Sequence, residues 1–478
     1  MKKVAIFLAA IILASQLHAQ TKDFTGAWAG KMNAGKEVTI IFHFTKKADG
    51  SYAGTLDSPD QNVKGIALSS VAVNGDSLVA ALAAGGVTYR SMLTADTILT
   101  GTWAQRGASL PLVLKHAAEK EVAEIRKPQT PVPPFSYNSE DVEYDNADKS
   151  VHFGATFTFP KTGGTFPTAI LITGSGQQDR DETILGHKPF AVLADYLTKK
   201  GYAILRVDDR GMGKTTGTLV NVTSADFAKD VEAGLAYIKT RPEVDKTKIG
   251  LIGHSEGGNI APMVAAENKD IYFIVLWAGA IEGGLITNVE QNAHSLLRAG
   301  LDSVSVNAFK QLHTKELSLF AKDANTQTLD PDIKKVFDTW RAKQPANVLS
   351  TLHITDSSFI GQNIYAAYHS LYNLAWMRFF ISHNFAADLA RVRCKVLALN
   401  GDLDQQVNAQ RNLSLIDSVL KANNNHKYST VHLKGLNHLF QTAVTGDVSE
   451  YASIQETIAP QALQAIGDWM DIKVLHAR

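Results

Sequence analysis

Two patterns of apolar residues divide the chain. From about Phe24 to Leu114, short alternating runs at Val38–Phe44, Ser77–Ala81, Thr88–Leu93 and Leu110–Leu114 are separated by turn residues at Ala48-Asp49-Gly50, Asn74-Gly75-Asp76 and Gly85-Gly86. Alternation with a period of two buries one face of each strand, and evenly spaced strands joined by such turns predict a small antiparallel barrel or sandwich. Gly26-Ala27-Trp28-Ala29-Gly30 and Gly101-Thr102-Trp103-Ala104-Gln105 bracket the region. A glycine beside a tryptophan marks a strand whose aromatic ring plugs a barrel end. Beyond residue 140 the pattern changes: nearly continuous apolar runs at Thr168–Thr173, Tyr202–Val207, Ile249–Ile252, Tyr272–Trp277 and Val396–Asn400 alternate with helical periodicity. Strands buried on both faces and separated by helices predict a mostly parallel, doubly wound α/β sheet, whose chemistry gathers at the carboxyl ends of its strands. Between Trp277 and Val396 the chain is too long for one crossover. Helices are expected over 288–299, 305–321, 332–342 and 364–383, forming a cap of about 282–390 above the sheet.

Length and composition refine this picture. A chain of 478 residues exceeds one ordinary core. The junction is marked by a charged, helix-compatible segment at 116–126 and the stiff run Lys127-Pro128-Gln129-Thr130-Pro131-Val132-Pro133-Pro134. The expected organisation is a signal peptide at 1–19, a barrel-like domain at 20–115, a helical and proline-rich linker at 116–138, and the α/β domain at 139–478. The signal is read from Met1-Lys2-Lys3, the apolar run Val4–Ala14, which is too short to span a bilayer, and the small residue Ala19. It predicts a periplasmic or secreted protein with no integral membrane span once the signal is removed. Lys plus Arg equals Asp plus Glu at 47 each, which removes the basic footprint of a nucleic-acid or anionic-membrane binder. The only cysteine, Cys394, excludes an intramolecular disulfide and reads as apolar filler.

Candidate chemistry sits at the strand ends. Lys248-Ile249-Gly250-Leu251-Ile252 runs into Gly253-His254-Ser255-Glu256-Gly257-Gly258, followed by a helix-compatible segment kinked by Pro262. A serine hydroxyl needs a base to take its proton and a sharp turn to lift it clear of the sheet, and Gly253 and Gly257 permit that turn, the nucleophile elbow. The bare Gly-x-Ser-x-Gly pattern is weak; strand before and helix after make Ser255 the candidate nucleophile. Later strands end in Gly401-Asp402-Leu403-Asp404 and Lys434-Gly435-Leu436-Asn437-His438. His438 is the expected base and acid, and Asp404 the group that orients its ring, in the chain order serine, acid, histidine. Asp402 competes for the acid role but more naturally closes the turn. Of the other histidines, His254 is locked beside the nucleophile and His432 lies within a strand. Backbone N–H groups of Glu256 and Ser175, the latter in Gly174-Ser175-Gly176-Gln177, are the expected oxyanion donors. Arg180 reads as an ion-pair partner of Asp208 or Asp209 rather than a substrate clamp. Gly211-Met212-Gly213-Lys214-Thr215-Thr216 mimics a phosphate loop but lacks its first glycine, and no metal-ligating motif is present, so no cofactor and no metal are expected.

With Gly174-Ser175-Gly176-Gln177-Gln178-Asp179-Arg180-Asp181, Asp208-Asp209-Arg210-Gly211, the serine motif, Gly401-Asp402-Leu403-Asp404 and Asn437-His438 together, the region from about residue 140 to the end resembles secreted bacterial α/β-hydrolase esterases, a group that includes serine aminopeptidase-like hydrolases. The resemblance implies an α/β-hydrolase fold with a helical cap behind a lipocalin-like β domain. It also implies a carboxylic-ester hydrolase acting on a small-molecule ester through Ser255, Asp404 and His438. Lys395 and Phe385 stand where similar chains tend to carry proline, which bears on cap geometry. Two other readings remain at this point. One is an aminopeptidase, which needs paired acids for a substrate amine, such as Glu282 with Asp179 or Glu182. The other is a non-catalytic protein whose barrel captures a glycan or lipid.

Overall fold

The computed structural model describes residues 23–33, 37–47, 50–58, 63–82, 86–105, 108–117, 127–320, 326–355 and 359–476. The expected signal peptide and most of the expected helix at 116–126 lie outside them. The chain forms two compact units, Met1–Arg126 and Lys127–Arg478.

The first unit is a closed antiparallel barrel. Its strands are β1 (Gly26–Asn33), β2 (Glu37–Lys46), β3 (Tyr52–Ser58), β4 (Val63–Ala67), β5 (Ser70–Asn74), β6 (Ser77–Leu82), β7 (Val87–Ala95), β8 (Ile98–Gln105) and β9 (Ala108–Ala117). They follow the order β2-β1-β9-β8-β7-β6-β5-β3, closed by a β2–β3 pairing, with β4 added outside β3. Closure leaves few free sheet edges. Both tryptophans of the glycine–tryptophan phrases point inward, with Trp28 donating its indole N–H to Phe24 O at 2.8 Å. The adjacent glycines have a packing reason: a Cβ at Gly30 would lie 2.0 Å from Val113 O, and one at Gly101 2.4 Å from Arg90 O. Phe42 stacks on Tyr89 with ring centroids 5.4 Å apart, and Trp28, Phe42, Tyr89 and Leu114 fill the interior.

The second unit begins within the proline-rich run. Lys127 is buried and donates to Ala452 O (2.7 Å) and Ile454 O (2.8 Å), so this segment packs on the α/β domain. The strands are β10 (Asn138–Asp145), β11 (His152–Phe159), β12 (Phe166–Ile172), β13 (Ala203–Val207), β14 (Val244–His254), β15 (Ile271–Trp277), β16 (Lys395–Gly401) and β17 (Tyr428–Leu433). They form one sheet in the order β10-β11-β13-β12-β14-β15-β16-β17. The first hairpin is antiparallel, and every pair from β13 to β17 is parallel. Helices α1 (Pro189–Lys199), α2 (Ser224–Ile238) and α3 (Glu256–Glu267) connect the early strands. Helix α3 continues through Pro262. Helices α11 (Ala409–Ala422) and α12 (Pro460–Met470) follow the cap. Apolar side chains on the two sheet faces enter separate cores, one shared with α2, α3 and the cap, the other with α1 and α12. Each fully buried Leu, Ile or Phe in these layers contributes about 1.5–3 kcal/mol.

The cap comprises α4 (Gly284–Arg298), α5 (Ser303–Phe320), α6 (Thr326–Arg341), α7 (Ala346–Thr351), α8 (Phe359–Asn373), α9 (Ala375–Ser382) and α10 (Phe385–Arg391). The single helix expected over 364–383 is two. Leu374, with ψ 111°, leaves the helical region between α8 and α9. Among the described residues no helix is long and apolar enough to cross a membrane.

Candidate active site

Ser255 lies between the last residue of β14 and the first of α3, at φ 51° and ψ −116°. A positive φ strains a residue that carries a Cβ, by about 1–3 kcal/mol, and persists only where the surroundings enforce it. Here Ser255 N donates to Trp277 O at 2.8 Å, and Gly258 N to Ser255 O at 2.9 Å. The glycines are required by close approach. A Cβ at Gly253 would lie 1.9 Å from Gly257 O, one at Gly257 2.1 Å from Ile172 O, and one at Gly258 2.6 Å from Gly279 Cα. The hydroxyl-bearing residue is half-buried while both neighbours, His254 and Glu256, are buried.

The loops after β16 and β17 bring the acid and the histidine together. His438 Nδ1 lies 2.8 Å from Asp404 Oδ2 in a buried contact. The other carboxylate oxygen, Asp404 Oδ1, accepts the N–H groups of Gln406 (2.8 Å) and Val407 (2.9 Å), which fix the carboxylate plane. Asp402 is engaged elsewhere, accepting Gly435 N–H at 2.5 Å. Asn400, at the end of β16, points its amide at Asp404 Oδ2 (3.5 Å) and is itself held by Asn412 (3.0 Å). Ser255 Oγ and His438 Nε2 make no hydrogen bond to each other or to any other described residue; such contacts are often long without substrate and tighten in the complex. The two loops are nonetheless adjacent, since His254 Nε2 lies 3.1 Å from His438 O and the two rings are 5.0 Å apart.

Ser175 is exposed on the loop after β12, and its N–H makes no hydrogen bond among the described residues. Glu256 opens α3, where first-turn N–H groups lack intrahelical acceptors. Neighbouring Gly174 N–H is already committed to Glu182 Oε1 at 2.7 Å. The surrounding carboxylates are closely partnered. Asp209 accepts Thr173 Oγ1 and Gln178 N, each at 2.8 Å, yet burial pushes it up to about 8. Burial also raises Glu256, against hydrogen bonds from Ser224 Oγ (2.6 Å) and Trp376 Nε1 (2.7 Å). Arg180 is taken by Asp208, at 3.1 Å and 2.6 Å, and by Asp141 at 3.0 Å. A cavity of about 50 Å³ lined by Gly174, Gly176, Asp209 and Glu256 adjoins this loop.

Several supporting residues were not singled out by sequence reasoning. Trp376 and Ser224 reach Glu256 from α9 and α2, and Asn400 and Asn412 back the acid; side chains at such separations carry no local sequence signal. The acids named for an amine site are each engaged with other groups. Glu282 pairs with Arg411, Asp179 turns onto Thr183, and Glu182 faces His254. The phosphate-loop mimic is a turn in which a Cβ at Gly213 would meet Asp208. Cys394 is partly buried, and burial pushes its thiol up to about 12. Among the described residues no group of three or more His, Cys, Asp or Glu is placed to hold a metal ion.

The eight-stranded sheet, the strained turn after β14 and the acid–histidine loops after β16 and β17 make the second unit an α/β-hydrolase fold. Residues 188–336 match the family model described as serine aminopeptidase, S33. The chain is 28% identical over 138 residues to esterase EstD of Thermotoga maritima, an alignment covering 29% of this chain and 32% of that protein. It is 26% identical over 136 residues to a putative carboxymethylenebutenolidase of Methylorubrum extorquens, covering 26% of this chain and 44% of that one. The chain thus spans less than half the length of either curated relative. Among solved structures, the Pyrococcus furiosus esterase Pf2001 aligns at 17% identity and a TM-score of 0.42, covering 71% of this chain and 92% of that one.

Proposed function

We propose that this protein is a serine hydrolase that cleaves small-molecule carboxylic esters through an acyl-enzyme on Ser255. The observation that carries the reading is the buried 2.8 Å contact between His438 and Asp404, on loops beside the strained turn that presents Ser255. In this reading His438 Nε2 takes the Ser255 proton as Oγ attacks the ester carbonyl. Asp404 holds the ring with Nδ1 protonated and stabilises the imidazolium that forms. The N–H groups of Ser175 and Glu256 receive the negative charge on the carbonyl oxygen. Collapse breaks the carbon–oxygen bond to the alcohol, which leaves with the proton from His438. Water then repeats the sequence on the acyl group and frees Ser255. An alkoxide leaving group needs little further help, so this set of groups suffices for esters. The names of the two curated relatives, an esterase and a putative carboxymethylenebutenolidase, favour ester chemistry over peptide cleavage. The engagement of Glu282, Asp179 and Glu182 with other groups supports the same preference.

Export to the periplasm or beyond is also our proposal, supported by the charged start and short apolar run at Val4–Ala14. Turnover of short and long acyl p-nitrophenyl esters against amino-acid p-nitroanilides tests the activity. Anilide turnover without ester turnover refutes it.

A further inference from the structure

The histidine before the nucleophile and a distant glutamate form a buried pair that the chemistry above leaves without a role. His254 Nδ1 lies 2.9 Å from Glu182 Oε1, and its Nε2 lies 3.1 Å from the backbone oxygen of His438. The same glutamate oxygen accepts Gly174 N–H at 2.7 Å. Glu182 is 1% exposed and His254 3%. Three loops therefore meet through two side chains. One precedes the expected oxyanion donor, one carries the nucleophile, and one carries the base.

The donors and acceptors fix the proton count. A carbonyl oxygen only accepts, so His254 Nε2 carries a proton. Between Nδ1 and Glu182 Oε1 a second proton is required, because two lone pairs would otherwise face each other at 2.9 Å. Whichever atom holds that proton, the pair contains two exchangeable protons and no net charge. The Gly174 N–H on Oε1 favours the carboxylate with an imidazolium. Burial acts against the charged ring, but the Glu182 charge and hydrogen bond outweigh it, and Asp404 adds in the same direction. The other groups facing the ring are His438, at 5.0 Å between rings, and Trp277, at 4.9 Å.

We propose that Glu182 and His254 are positioning residues: a two-proton, net-neutral unit that ties the oxyanion loop at Gly174 to the backbone of His438 across the nucleophile turn. This rests on reading Ser255 and His438 as nucleophile and base. An amide cannot replace the acid. If Glu182→Gln places its amide oxygen at the Oε1 position, either His254 stays charged without a counterion or it gives up one of its two hydrogen bonds. If the amide nitrogen takes that position instead, the Gly174 N–H faces another donor.

Glu182→Gln, His254→Phe and the double variant, each assayed for ester kcat and KM at a temperature where circular dichroism reports it folded, test the proposal. Each single variant is expected to lose about 10- to 100-fold in kcat, the size of one charge-assisted hydrogen bond, with KM little changed. In the double variant no buried charge is left without a counterion and the introduced amide can still accept Gly174 N–H, while His438 O loses its donor, so thermal stability recovers in part over the single variants while kcat does not. Recovery of kcat together with stability, or single variants at wild-type kcat, overturns the proposal. If the singles do not fold, the double variant and the wild-type proton spectrum decide. A far-downfield ring N–H resonance that survives His438→Ala, and so is not the one His438 shares with Asp404, is expected, and its absence overturns the pair. Ser255→Ala run alongside separates the two claims. If it hydrolyses ester at the wild-type rate, the nucleophile reading fails; if it is inactive while the Glu182 and His254 variants are unimpaired, only the pair fails.

Discussion

Replacing Asp404 by asparagine tests the orientation of His438 without changing the shape of the site. In the native site Asp404 Oδ1 accepts two backbone N–H groups, from Gln406 and Val407, and Oδ2 accepts His438 Nδ1–H. In Asp404→Asn the amide oxygen should take the Oδ1 place, because there it satisfies two donors. The amide NH2 then faces His438 Nδ1 and the side chain of Asn400. The ring responds by moving its proton to Nε2, where it can no longer accept the proton of Ser255. Flipping the amide restores the productive tautomer but leaves two buried N–H groups facing a donor, at about 1–3 kcal/mol each. The productive state therefore lies about 2–6 kcal/mol above the resting one, which at 1.36 kcal/mol per tenfold predicts a fall in kcat of about 30- to 25,000-fold. The assay is p-nitrophenyl ester turnover with a matched thermal melt. Asp402→Asn, which disturbs only the turn at Gly435, is expected to stay within about fivefold of wild type. A folded Asp404→Asn variant within about threefold of wild type refutes the reasoning, and a larger loss in Asp402→Asn moves the acid role to Asp402.

Trp376→Phe removes the 2.7 Å indole bond to Glu256 and should cost about 1–3 kcal/mol in a urea melt while raising KM by loosening α9; an unchanged melt contradicts it. Gly257→Ala places a Cβ 2.1 Å from Ile172 O and should yield no active, soluble enzyme, which ester turnover in the soluble fraction checks. Glu316, wholly buried in α5 with neither oxygen hydrogen-bonded among the described residues, is pushed up to about 8 by burial. Its folded pKa lies above the unfolded one, so its favourable contribution is complete below about 4.5 and is lost as pH rises through about 8. Glu316→Gln should therefore match wild type at about pH 4 and gain on it at up to about 1.4 kcal/mol per pH unit between those values, read from melts across pH. A pH-independent difference contradicts this.

The parallel sheet was readable because its strands are long apolar runs, and the elbow because glycines crowd Ser255 on both sides. Both signals are local. The cap was legible only as a helical region, since the break at Leu374 has no proline or glycine to announce it. The proline-rich run read as a stiff linker, yet Lys127 is buried and donates to two carbonyl oxygens more than three hundred residues away. At the site, turn chemistry favoured Asp404 over Asp402 as the acid, and in the fold Asp404 reaches His438 while Asp402 holds the turn at Gly435. The role we assign to Glu182 was invisible because its partners, Gly174 eight residues upstream and His254 on the nucleophile turn, meet it only through the fold.

The central claim is tested most directly by intact mass and peptide mapping after exposure to a fluorophosphonate, alongside ester turnover by wild type, Ser255→Ala and His438→Ala. The account predicts a single adduct on Ser255, no adduct and no turnover above background in Ser255→Ala, and strongly slowed labelling in His438→Ala. Ester turnover by Ser255→Ala at the wild-type rate, or an adduct on another residue, contradicts it.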